Sequence, residues 1–80
     1  EVVAADALDA KVAELTYALV SASPHAVRAC KKLVQDVAER EINDALVRMT
    51  VEGIADIRSS SEGKEGVQSF LQKRKPNWLV

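Results

Sequence analysis

The segment spanning residues 42–58 restricts the fold of this chain more than any other, because it is apolar on two sides of one helix. Ile42, Leu46, Met49 and Gly53 form one row at helical spacing, and Val47, Val51 and Ile54 form a second. A helix over about residues 43–58 carrying both rows is buried on two sides. A chain of 80 residues has few elements with which to cover both. The pattern therefore predicts an oligomer interface or a neighbouring element outside these residues. Gly53 costs about 1 kcal/mol against Ala in a helix interior, so its presence predicts close packing at that point.

Three further helices follow from periodicity and caps, giving an all-α chain of about four helices in a single domain with almost no strand. The first is predicted over about residues 7–22, with Asp6 as N-cap and Leu8, Val12, Leu15 and Leu19 as its stripe. The second starts at Pro24 in position N1, with Ser23 as N-cap, and is expected to end near Glu39 or Arg40. Its stripe is Val27, Cys30, Val34 and Val37, with Leu33 alongside. The last lies within residues 62–79, capped by Ser60 or Ser61, with Val67, Phe70 and Leu71 as one apolar face. Glu62 and Glu65 sit near its positive end, and Lys73, Arg74 and Lys75 load its negative end before Pro76 stops it. An apolar anchor, Phe70, thus stands one turn before a cationic cluster.

Composition narrows the function classes. A net charge of −1 argues against general nucleic-acid binding, which needs a broad basic footprint. The single Cys30 excludes an internal disulfide and fits a reducing compartment. No apolar run approaches the roughly 20 residues of a membrane span, and the first residues lack the pattern of a signal peptide. The chain begins at Glu1 rather than Met, which leads to the expectation of a mature or truncated chain.

No residue cluster points to catalysis or to a metal. His25 is the only histidine, without Cys or a second His at ligand spacing, and reads as a first-turn polar residue. Cys30 lies on an apolar stripe and reads as a buried small hydrophobe. Asp6 with Asp9, and Glu39 with Glu41, read as solvated helix-end carboxylates rather than an acid–base pair. Gly63 and Gly66 flank Lys64 and Glu65 without forming a phosphate-cradling loop. The basic cluster at residues 73–75 reads either as solvated charges that complement a helix dipole or as a phosphate contact.

The order Glu65-Gly66-Val67-Gln68-Ser69-Phe70-Leu71-Gln72-Lys73-Arg74-Lys75-Pro76 resembles the C-terminal signature of the crotonase superfamily, the enoyl-CoA hydratases and isomerases. Residues 23–28 and 29–34 also resemble that family's C-terminal helices. The resemblance covers nearly the whole chain but only about the last third of a family member. Residues 58–78 look closest to the methylglutaconyl-CoA hydratase branch.

The resemblance implies a trimer, or a dimer of trimers, in which these helices supply much of the subunit contact. It implies that Phe70 lines the thioester-tail pocket of a neighbour and that Lys73 contacts the adenine-phosphate end of coenzyme A. Ile54 matches a position near the acyl tail that is often aromatic in the family. Catalytic residues are implied to lie elsewhere: the oxyanion hole and the glutamates belong to the spiral core, and nothing in this chain matches those segments. An acyl-CoA thioester is then the partner and coenzyme A enters only as part of the substrate, with no separate cofactor. The compartment implied is the cytoplasm, or the mitochondrial matrix in a eukaryote. A free-standing helical interaction module is the alternative.

Overall fold

The computed structural model describes residues 1–79 and is all-helical, with no strand among them. A 3₁₀ turn at Ala5–Ala7 leads into α1 (Leu8–Ser21), followed by α2 (Pro24–Val37), α3 (Asp44–Ser59) and α4 (Ser61–Leu71). No helix is long and apolar enough to cross a membrane among the described residues.

Two of the predicted caps, Ser23 and Ser60, form as expected. Ser23 Oγ accepts from Ala26 N at 3.1 Å at the start of α2, with Pro24 in the first turn. At the start of α3 the structure adds a cap beyond those predicted: Asn43 Oδ1 accepts from Leu46 N at 2.9 Å. Asp6 does not cap α1. The chain enters through the 3₁₀ turn, closed by Ala7 N donating to Ala4 O at 2.9 Å, so Asp6 is already wound into the turn. Ala7 takes the cap position without a side-chain bond.

Helix α2 ends at Val37, two to three residues earlier than periodicity suggested. Ala38 turns extended (φ −59°, ψ 133°), Glu39 takes φ 58°, and Arg40 N donates to Val37 O at 3.3 Å. That is a type II turn with a glutamate where glycine is favoured. Ile42 consequently lies before the cap of α3, 82 % exposed, and is not part of that helix's apolar row.

A single residue, Ser60, joins α3 to α4. Its hydroxyl donates to Ile57 O at 2.7 Å and accepts from Gly63 N at 3.1 Å, closing one helix and opening the next. Helix α4 then ends at Leu71, well before Pro76. Lys73 N donates to Phe70 O at 3.2 Å and Arg74 N to Ser69 O at 3.0 Å, with Lys73 at φ 53°. This is a Schellman ending with lysine in the left-handed position that glycine usually fills. Lys73, Arg74 and Lys75 therefore lie beyond the helix and do not load its last turn.

The four helices make a slab of 48 × 37 × 15 Å rather than a bundle. Its radius of gyration is 16.3 Å, against about 12 Å for a compact chain of this length. Its accessible surface is 6775 Å², against about 4,700 Å² for a folded monomer of its mass. Helix α3 packs on α2 and α4, while α1 makes only sparse contact with the other helices. Leu46 is the one buried apolar side chain among the described residues, and Ser69 the one buried polar residue. Of the two apolar rows on α3, Leu46 is buried and Met49 half-buried on one side, while Val47, Val51 and Ile54 on the other are exposed. Cys30 is exposed as well, lining an open groove together with Leu33. Gly53 has no neighbour within 4 Å of a Cβ built on it, so close packing within the chain does not account for it.

Candidate functional site

Helices α2 and α3 leave an apolar groove of about 570 Å³ between them, walled by Ala29, Cys30 and Leu33 on one side and Met49, Gly53 and Ile54 on the other. Small residues at Ala26, Ala29 and Gly53 keep it wide. Ile54 lines it and is 67 % exposed. Phe70 and Lys73 lie outside it, at the far end of α4. The structure thus brings Phe70 and Lys73 together through one backbone hydrogen bond and leaves Ile54 in a separate groove.

Phe70 is 81 % exposed, the largest apolar side chain on the outer face of α4. Leu71 beside it is also exposed. The face that α4 turns inward carries Ser69, Gly66 and Gly63 instead, because only small residues fit there. A Cβ on Gly66 would meet Trp78 at 3.4 Å, and one on Gly63 would stand 2.2 Å from the Ile57 carbonyl oxygen. The stripe Val67, Phe70 and Leu71 therefore splits: Val67 is half-buried and the other two face solvent.

Of the three basic residues after α4, one is occupied. Arg74 folds back on Glu65, placing Nη1 2.6 Å from Oε1 and Nη2 2.9 Å from Oε2. Glu65 Oε1 also accepts from Asn77 N at 2.8 Å. The Arg74 guanidinium, and after it the Asn77 N–H, hold the Glu65 carboxyl at about 2, below its ordinary 4.5. Lys73 and Lys75 form no ion pair with a described residue, so theirs are the ammonium groups at this end of the molecule that remain open to a phosphate.

A second carboxylate, one turn earlier, reaches the other way. Glu62 accepts from the Ser23 hydroxyl and from His25 N, the latter at 2.9 Å, at the N-terminus of α2. The Ser23 hydroxyl, and next the His25 N–H, lower the Glu62 carboxyl from its ordinary value. Trp78 completes this corner by donating its indole N–H to Ser21 O at 3.2 Å. Sequence reasoning placed Glu62 and Glu65 only as charges favoured by the dipole of α4. Their i, i+3 spacing was the available signal; their partners, up to 39 residues away, were not. Among the described residues no group of three His, Cys, Asp or Glu converges on a point where it could hold a metal ion.

Comparison of the chain with protein-family models, with characterised proteins and with solved structures found no match.

Proposed function

We propose that this chain is the C-terminal assembly region of an enoyl-CoA hydratase-like enzyme, closing one wall of its coenzyme A site and holding none of its catalytic groups. The observation that carries the reading is the surface that the helices leave uncovered. Its excess over a compact monomer is about 2,000 Å², the size of a standard-to-large protein interface. Leu8, Val12, Leu15 and Leu19 on α1, Val47, Val51 and Ile54 on α3, and Phe70 and Leu71 on α4 all contribute to it. Patches of this extent mark contact sites. The resemblance of residues 65–76 to the crotonase signature supplies the identity of what covers them.

In the assembled enzyme Phe70 would shape the acyl-tail wall of a neighbouring site, and the Lys73 ammonium would pair with a phosphate of coenzyme A. Ile54 would approach the acyl tail from the α2–α3 groove. Protonation and oxyanion stabilisation would be the work of the spiral core, which adds water across the double bond of the thioester.

The coding sequence upstream of Glu1 tests this directly. A spiral core of roughly 170 to 190 residues is expected, by analogy of fold. An independent start immediately before Glu1 overturns the reading. The outcome would then favour a free-standing helical interaction module, since the exposed Val47, Val51 and Ile54 face serves a protein partner equally well. The 80 residues alone are expected to show no hydration of crotonyl-CoA.

A further inference from the structure

Helix α1 packs along no other helix, yet its direction is not free. Its C-terminal end meets α2 at Ser21, Ala22 and Ser23, and this corner is held from α4 at two points. Glu62 takes the Ser23 hydroxyl and the His25 N–H, which anchors the first turn of α2 to the first turn of α4. One turn on, Glu65 takes both arms of Arg74 and the N–H of Asn77, which folds the segment after α4 back along that helix. The fold-back delivers Trp78 to the corner, with its ring against Gly66 and its N–H on Ser21 O. Leu79 N donating to Pro76 O at 3.0 Å closes the turn that carries the indole.

We infer that Glu62 and Glu65 form a two-point clasp on α4 which, through Trp78, fixes the α1–α2 corner, so that the direction of α1 is set by the C-terminal segment. The clasp is independent of what covers the exposed stripe of α1, and so goes beyond the assembly proposed above. Its chemistry suits a latch. A bidentate guanidinium–carboxylate pair is directional as well as strong. Gly66 lies against the indole: a Cβ there would meet the ring at 3.4 Å, in van der Waals contact. Opening the Glu65–Arg74 pair would release Trp78 and let α1, with Leu8, Val12, Leu15 and Leu19, swing about Ala22.

Trp78 is the only tryptophan, so its emission reads the clasp in the full 80-residue chain without a label. Glu65→Gln keeps the shape of the side chain and removes its charge. Acrylamide quenching of Trp78 is expected to rise about twofold or more as the charge-assisted bonds are lost. Spin labels at Tyr17→Cys and Lys64→Cys, with Cys30→Ala, read the direction of α1, and their distance distribution is expected to broaden in Glu65→Gln. Gln68→Ala, on the exposed side of α4, should move neither reading. The inference is overturned if Glu65→Gln, with its helix content intact, leaves either reading at the wild-type value. Where Glu65→Gln loses helix, Arg74→Lys, which keeps the charge but not the fork, carries the test with the same two outcomes.

Discussion

Gly63 and Ile57 are so close that a Cβ on the glycine would stand 2.2 Å from the Ile57 carbonyl oxygen. The oxygen belongs to the last turn of α3, so the backbone itself would have to move. Gly63→Ala should therefore open the α3–α4 junction at a cost of about 3 kcal/mol. Gly53 is the informative contrast, because a Cβ there meets nothing within the chain. Gly53→Ala should stabilise the isolated chain by about 1 kcal/mol through helix propensity. If a neighbouring subunit packs on that glycine, the same substitution should destabilise the assembly. Thermal unfolding of both variants, followed by circular dichroism, checks each sign.

The turn after α2 holds Glu39 at φ 58°, a left-handed conformation that disfavours a side chain by about 1–2 kcal/mol. Glu39→Gly should relieve part of this and raise stability by about 0.5–1 kcal/mol, while Glu39→Ala should not. Denaturant titration at fixed protein concentration distinguishes the two.

Acid should open the clasp. The folded Glu65 carboxyl lies at about 2 and Glu62 is also lowered, against 4.5 for either in an unfolded chain. A group with a lowered folded pKa contributes stability above its unfolded value and loses that contribution as pH falls through the folded one. The loss should thus fall between about pH 4.5 and pH 2, with little change from pH 5 to 8. Trp78 emission recorded against pH is the direct readout. In Glu65→Gln the acid-dependent change should shrink, because the group that binds the proton is gone.

Helix existence, the Ser23 and Ser60 caps and the two-sided character of α3 were legible because each rests on local chemistry. Periodicity shows which face is apolar and says nothing of what covers it. Cys30 was accordingly read as buried, yet it is exposed. The end of α4 was misplaced for a different reason. Proline is an evident stop, whereas a Schellman ending with Lys73 in the glycine position leaves no mark in the sequence. The corner built by Glu62, Glu65, Arg74 and Trp78 depends on contacts between distant residues, which no short-range pattern encodes.

Stability should depend on protein concentration. With Leu46 the one buried apolar side chain among the described residues, the isolated chain has little to offset its conformational entropy. Association would cover Val47, Val51, Ile54 and the α1 stripe, and would stabilise by mass action. The unfolding temperature is expected to rise with concentration, alongside oligomers in sedimentation velocity. A clean monomer at high concentration that binds no apolar dye contradicts this.

Lys73 offers the sharpest separation of fold from ligand. It occupies the left-handed position after α4, with φ 53°, where glycine is the preferred residue. Lys73→Gly should therefore leave the Schellman ending intact or strengthen it while removing the ammonium. If that ammonium pairs with a phosphate of coenzyme A in the full-length enzyme, KM for an acyl-CoA should rise about tenfold, as for loss of one charge-assisted contact. The adenine end is unchanged on reaching the transition state, so kcat should stay near its wild-type value. The effect should weaken as salt rises. Lys75→Ala is the matched comparison, since Lys75 also lacks an ion pair with a described residue. A variant that stabilises the protein yet weakens substrate binding has a ligand role that packing cannot imitate. Equal small changes in both variants, or a fall in kcat with KM untouched, would remove Lys73 from the coenzyme A site.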